Sequence, residues 1–306
     1  MSSFFTSGPA EDDLYKSLRD GLTFSEDEKI IQSMFFKDKD DKRNIEDMWS
    51  LYKPYADNNF LQEVRKYFHP RFWEMYLGFS LIKQGISLVP YDKGKGGPDL
   101  LILSDKLKVW LEAVAPTAGT SADAVPEIEC GVVRDVPDEQ IKLRYSSVID
   151  EKYEKFKKYT KKKIILEDDC YVIAVNGGAI PSASKEIDIP RIVRWVLPFG
   201  NEVIEINISS LEVLDVHHQY QDASYKKSGS PVSTNIFLNS DSDYDGISAI
   251  LFSNVDALNY PNYPGNDFVL IHNPLAKNPL PRGLIQLGRE YWVENSTLKL
   301  SNWMNH

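Results

Sequence analysis

The chain changes its hydrophobic period several times, and the changes mark its elements. Up to about residue 85 the pattern is helical. Short helices are predicted at Asp12–Arg19, Ser25–Phe36 and Asn44–Tyr52, separated by polar linkers. Ser25-Glu26-Asp27-Glu28 has the Ser-x-x-Glu form of a capping box ahead of an apolar run. Two more helices are predicted over Asn59–Phe68 and Pro70–Gln84, the second with proline in its first turn and Gly85 just past its end. Ile86–Tyr91 reads as a strand, and Asp92–Gly97 as a glycine-rich loop. Two strand-like runs then flank a polar turn at Asp105-Lys106, the pattern of a β-hairpin. Counting outward from the turn, 104 faces 107, 102 faces 109 and 99 faces 112. Leu100, Ile102, Val109 and Leu111 then share one apolar face.

After a long connection with three prolines, residues 115–137, a strong helix is predicted over Asp138–Lys158, opened by acids in its first turn. Cys170–Asn176 is an uninterrupted apolar run. It reads as a buried strand parallel to a core neighbour, because a helix connects them. Beyond a loop, Pro190–Val196 is a short helix or strand. The pattern then turns β-rich at Val203–Ile208, Glu212–Val216, Val232–Leu238, Ile247–Ser253 and Phe268–His272, and ends with Arg289–Val293 and a frayed tail. The expected fold class is α/β, in a single elaborated domain over 1–306. A helical cap (11–69) precedes a core (70–176), and a strand-rich extension (177–306) follows.

Composition narrows the class. A chain of 306 residues with 42% hydrophobic and 12% aromatic residues can bury a sizeable core. Its two cysteines make no disulfide framework, and no signal peptide opens the chain, so a reducing cytoplasm is expected. No apolar run reaches the ~20 residues that span a bilayer, so no membrane partner is expected. The net charge of −10 argues against a protein that coats nucleic acid non-specifically, but not against local phosphate contacts. Lys142, Arg144, Lys152, Lys155, Lys157, Lys158 and Lys161 to Lys163 concentrate positive charge in one segment.

The register places Asp99 opposite Glu112, with β-carbons about 4.5–5.5 Å apart. Facing carboxylates repel unless a cation or proton sits between them, and a hard divalent ion such as Mg²⁺ suits their oxygens. On the preceding helix Glu74 shares a face with Leu77, Gly78 and Leu81, where a carboxylate needs a partner or an exit to water. On the helix after the hairpin, Gln140, Arg144, Ser147 and Glu151 line a polar face. Other chemistries fail on their spacing. There is no GxSxG elbow and no P-loop, and His217-His218 are strand neighbours that point to opposite faces. The Asp241–Gly246 turn has Phe252 where an EF-hand needs an acid.

Pro98-Asp99 followed by Glu112-Ala113-Val114 resembles the core motif of the PD-(D/E)xK, or restriction-endonuclease-like, nuclease superfamily, with Val114 in place of the motif lysine. The resemblance covers about residues 70–176. It implies a mixed central sheet flanked by helices, and a metal-dependent endonuclease that hydrolyses DNA phosphodiesters, as restriction and defence enzymes do. It implies Mg²⁺ or Mn²⁺ held by Asp99, Glu112 and Glu74, with Gln140 and Arg144 facing the metal. Because Val114 has no amine, a lysine from another element would have to serve. Lys152 is the first choice, ahead of Lys142 and Lys95. DNA is the expected partner, and a homodimer is compatible with the reading. The rivals are a nucleic-acid-binding module that has lost the catalytic lysine, and a protein-interaction domain.

Overall fold

The computed structural model describes residues 39–304, apart from 65, 92, 130, 198, 221–222, 226–228, 230, 234–235, 239–243 and 258. The helices expected at Asp12–Arg19 and Ser25–Phe36 lie outside the described residues, as do most of the Asp241 turn and Lys226-Lys227-Ser228.

Helix α1 (Lys39–Tyr52) runs into a 3-10 turn at Lys53–Tyr55. A one-turn helix, α2 (Phe60–Val64), then leads to α3 (Phe68–Lys83). The single helix expected over Asn59–Phe68 is therefore split, and α3 begins two residues before Pro70, keeping that proline in its first turn where no amide is missed. Apolar residues surround α3, as expected of a helix buried on every side. Phe72, Trp73, Met75, Tyr76, Leu77 and Leu81 are all enclosed. The helix stops in a Schellman turn. The Ile86 amide donates to Leu81 O at 3.0 Å and the Gly85 amide to Ile82 O at 2.9 Å, with Gly85 at φ 79°.

Strands β1 (Leu100–Ser104) and β2 (Leu107–Val114) pair antiparallel with Leu100 opposite Leu111 and Ser104 opposite Leu107, the register counted from the sequence. Helix α4 (Asp138–Lys161) then crosses over to β3 (Cys170–Asn176), which pairs parallel with β2. A short helix, α5 (Arg191–Val196), precedes the paired β4 (Phe199–Ile206) and β5 (Val213–Tyr220) and a second small pair, β6 (Ala223–Tyr225) and β7 (Pro231–Ser233). The last four strands are β8 (Ala249–Ser253), β9 (Val269–His272), β10 (Arg289–Glu294) and β11 (Thr297–Asn302).

Seven strands make one mixed sheet in the order β1-β2-β3-β8-β9-β10-β11. The stretches 70–176 and 177–306 thus contribute to the same sheet. Because side chains alternate along each strand, two cores form on its two faces. Leu100, Ile102, Val109, Leu111 and Val172 pack with α1 and α3 on one face. Leu101, Trp110, Tyr171, Ile173 and Phe252 pack with α4 and α5 on the other. The Trp73 indole donates to Ala174 O at 2.9 Å and ties α3 to the middle strand.

Three expectations need correction. Ile86–Tyr91 is an edge contact rather than a strand, with one bridge, Leu88 to Ile102; Pro90 lacks the amide needed to extend it. In the run Val232–Leu238 strand pairing stops at Ser233, and Ile236–Leu238 form a turn whose Phe237 amide donates to Val196 O. The end of the chain is not frayed. Asn295 and Ser296 both take positive φ, 50° and 57°, so a two-residue turn of the type that matches strand twist returns β11 onto β10. Among the described residues no helix is long and apolar enough to cross a membrane.

Helix α3 approaches α1 at Gly78. A methyl group there would lie 2.5 Å from Cδ2 and 2.7 Å from Cε2 of the buried Tyr52 ring. Gly78→Ala is therefore expected to lower unfolding stability by about 1–3 kcal/mol in urea titration, despite the better helix propensity of alanine. An unchanged or raised midpoint would mean that α1 is free to move.

Candidate functional site

Three carboxylates gather at the open end of the first hairpin, each delivered by a different element. Gly96 and Gly97, at φ 78° and 136°, turn the chain into Pro98-Asp99 where a side chain would be strained. The Asp99 amide donates to Leu111 O at 2.9 Å, continuing the ladder one residue past β1 and setting Asp99 opposite Glu112. Asp99 Oδ2 accepts the Ala113 amide at 2.7 Å. Glu74 reaches the same end of the sheet from α3, close enough for its charge to act on Asp99.

The acids differ sharply in how they are neutralised. Glu112 is 2% exposed. It receives Lys152 Nζ at 2.8 Å, Lys155 Nζ at 3.2 Å and the Tyr159 hydroxyl at 3.2 Å. Glu74, also buried, receives the Tyr52 hydroxyl, Lys93 Nζ at 2.9 Å and the Arg71 guanidinium. Among the described residues Asp99 has one hydrogen bond, from the Ala113 amide, and no ion pair. Burial, and then the Glu112 and Glu74 charges, push its carboxyl up to about 8 against the weaker pull of Lys93 and Lys152. For Lys152 burial alone would lower the amine, but the Glu112 carboxylate more than offsets that and holds it above its ordinary range.

Beside Asp99 lies a cleft of about 470 Å³, lined by Tyr91, Lys93, Arg71, Asn58 and Pro98 among others. The Tyr91 ring stands edge-on against Trp110, and its hydroxyl is buried without a hydrogen-bond partner. Burial, followed by the charges of Asp99, Glu112 and Glu74, holds the Tyr91 phenol far above its usual range, so it remains a proton donor.

The structure thus brings together Asp99, Glu112, Glu74 and Lys152, and leaves out Gln140 and Arg144. Gln140 stands about 18 Å and Arg144 about 12 Å along α4 from Lys152, at 1.5 Å per residue. Arg144 Nε donates to Thr117 O at 2.9 Å and braces the connection 115–137, beside a second cleft of about 340 Å³. Lys142 pairs with Asp138 at 2.8 Å near the start of α4, and the side chain of Lys95 lies outside what is described. Val114 is half-buried against the core on the α4 face. Sequence reasoning missed Tyr52, Arg71, Tyr91, Lys93, Lys155 and Tyr159. Two of these carried a signal: Lys155 and Tyr159 continue the buried stripe Ile141, Tyr145, Val148 and Lys152 at steps of three and four.

Among the described residues no group of three or more His, Cys, Asp or Glu side chains is placed to hold a metal ion. The donor set that remains is the pair Asp99 and Glu112. Two hard carboxylates, one of them costly to ionise, suit Mg²⁺, which is commonly bound through one or two carboxylates with its other positions filled by water. The unpartnered Tyr91 hydroxyl is a ready hydrogen-bond donor beside them. Glu112 and Glu74 are each already met by two cations and a phenol, so either would have to release a lysine to take a ligand's place; Glu112 stays in the donor set because it directly faces Asp99. No family model matches the chain, and no curated protein or solved structure matches it either.

Two outcomes are expected. The raised Asp99 carboxyl means that the folded protein holds a proton the unfolded chain has released between about pH 4 and pH 8. Stability is then lost as pH rises through that window. Asp99→Asn removes the dependence, so its melting temperature should exceed that of the native chain more at pH 8 than at pH 5, measured without divalent ions. Equal pH profiles for the two proteins would show that Asp99 is not crowded by charge. The other outcome concerns the ion pair: Lys152→Met leaves Glu112 buried with a half-exposed amine and should cost about 3 kcal/mol, whereas adding Glu112→Gln should restore most of that loss. Urea midpoints of the two variants read this directly.

Proposed function

We propose that the protein is a Mg²⁺-dependent nuclease that hydrolyses phosphodiester bonds, built on a restriction-endonuclease-like core. The single observation that carries this reading is Asp99: a carboxyl that faces Glu112 at the wall of an open polar cleft with no cationic partner among the described residues, and that burial, then the Glu112 and Glu74 charges, push up to about 8. A purely structural ion network would neutralise each of its acids, as happens to Glu74 and Glu112. The order of elements supports the same reading, since α3, the β1–β2 hairpin, α4 and the parallel β3 follow one another as the resemblance implies.

In this reading Asp99 and Glu112 would hold the ion, which when bound activates water and stabilises charge on the phosphate. Lys152 keeps an ammonium on Glu112 and takes the place of the amine that Val114 cannot provide. It arrives from α4 rather than from β2, so the charge at the site is kept while its backbone origin changes. Lys93 and Arg71 line the cleft, paired there with Glu74 and, for Arg71, with Asp57 and Glu63; a phosphate diester would compete with those acids for them. The Tyr91 phenol, without a partner of its own, is a donor that would serve a ligand at the carboxylate end.

One observation favours a second reading. Glu112 and Glu74 are already neutralised by lysine, arginine and tyrosine, so the site is close to balanced without a metal. A binding module that retains nucleic acid without cutting it would look like this.

Plasmid nicking separates the two. The expected result is cleavage with Mg²⁺ or Mn²⁺ that EDTA abolishes, no cleavage by Asp99→Asn, and a drop of about 10²–10³-fold in Lys152→Ala, the usual loss on removing a charge-stabilising donor. Lys142→Ala and Lys95→Ala serve as comparisons at matched stability. Salt-sensitive retention of DNA with no nicking under any metal would sink the enzyme reading and leave the binding module.

A further inference from the structure

Glu112 is met by more positive charge than it carries. A carboxylate has one negative charge, and a single buried ammonium offsets it. Here Lys152 Nζ lies 2.8 Å and Lys155 Nζ 3.2 Å from the same oxygen, Oε1, while Oε2 accepts only the neutral Tyr159 hydroxyl at 3.2 Å. Two ammonium groups on one oxygen repel each other. Asp99, directly opposite, has no cation among the described residues.

The two lysines are not equivalent. Lys152 is enclosed, its side chain 9% exposed, on the stripe of α4 that packs against the sheet. Withdrawing it would strand a charge away from water, the unfavourable way to break a buried pair. Lys155 is 40% exposed and holds the longer of the two bonds. Its flexible stem can swing the amine into water, where a partly exposed ion pair costs little to break. One turn earlier on α4, Glu151 is exposed and has no ion pair among the described residues. A glutamate four residues before a lysine is the favoured helical pairing, so Glu151 can receive the freed amine.

We propose that Lys155 is an exchangeable counter-ion. It occupies Glu112 while the site is without metal, and leaves for water and Glu151 when Asp99 and Glu112 take up a divalent cation, with Lys152 staying in place. This rests on the metal-dependent reading above and adds how that site is regulated: Lys155 competes with the ion for one carboxylate and lowers the affinity of the site.

Two measurements on the full chain, at a single pH, test the exchange. Mn²⁺ binding, followed by the electron paramagnetic resonance signal of the free ion, should tighten about fivefold in Lys155→Met, the factor at the upper end for a partly exposed ion pair. Lys155→Arg keeps the charge and should bind no more tightly than the native chain. Lys158→Met removes an equal charge from an exposed position on the same helix and should leave the affinity within about twofold. Acetylation by an activated ester, read by peptide mass spectrometry, should quicken at Lys155 when Mn²⁺ saturates the site and stay slow at Lys152. This readout needs no variant, so it stands even where Lys155→Met perturbs the fold. Mn²⁺ that binds without quickening Lys155, or that frees Lys152 instead, overturns the exchange and leaves the metal site standing. Equal affinity in Lys155→Met and the native chain overturns it too, as does equal tightening in Lys158→Met, which would mark general repulsion. A chain that binds no Mn²⁺, with or without Lys155, overturns both the exchange and the nuclease reading.

Discussion

The structure depends on how negative charge is disposed of at the open end of the β1–β2 hairpin. Glu74, Asp99 and Glu112 sit where the sheet, α3 and α4 meet, and burial makes each of them expensive to leave alone. The neighbouring elements answer with their own groups. Helix α1 supplies the Tyr52 hydroxyl, the Gly-rich loop supplies Lys93, and α4 supplies Lys152, Lys155 and Tyr159. Each bond fixes a helix or loop relative to the sheet. Such buried pairs add little net stability compared with apolar packing of the same volume, but losing one partner is costly. They therefore act as registration points: the helices can slide on their apolar faces only by breaking them.

Much of this was legible in the sequence because it follows from short-range rules. The hairpin register rests on a two-residue turn and strict alternation, so placing Asp99 opposite Glu112 needed only counting. The Schellman end of α3 was marked by Gly85, and the buried β3 by its unbroken apolar run. What escaped was set by tertiary contact. Lys152, singled out from the sequence, sits on the buried stripe of α4 in line with Ile141, Tyr145 and Val148, but Lys155 and Tyr159, which follow it on that stripe, were not read as its companions. Which acid it meets depends on the parallel crossover from β2 to β3, a contact forty residues away in sequence. Gln140 and Arg144 were placed by helical position alone. Counting residues along the axis would have shown them to be too far from the hairpin's open end.

The errors elsewhere have equally local causes. Ile86–Tyr91 has strand composition but carries Pro90 next to its end, and proline has no N–H with which to extend the ladder past the single bridge at Leu88. The chain end looked polar and loose because Asn295-Ser296 was not read as a turn. Both residues take left-handed backbone, which asparagine tolerates better than most, and six residues of β11 follow from that one conformation.

The contrast between Asp99 and its two neighbours carries the functional argument. Glu74 and Glu112 are each met by two cationic side chains and a phenol, whereas among the described residues Asp99 is met by a single backbone amide. Packing does not force this arrangement. Lys93 already reaches Glu74 in the same cleft, so positive charge is at hand, yet it is spent on an acid that is otherwise well served. A site of this form stores an electrostatic cost in one carboxyl and keeps that carboxyl beside open space. The cost is relieved by a proton, or by a cation that enters from the cleft. Below about pH 8 the proton is sufficient, so in the proposed reading cation binding would compete with protonation at Asp99 and strengthen as pH rises. Lys93 and Arg71 line the same cleft but are held by Glu74, and Arg71 by Asp57 and Glu63 as well. The proposed metal-dependent reading rests on that contrast, and a cation at Asp99 is what it adds to a site otherwise balanced by its own side chains.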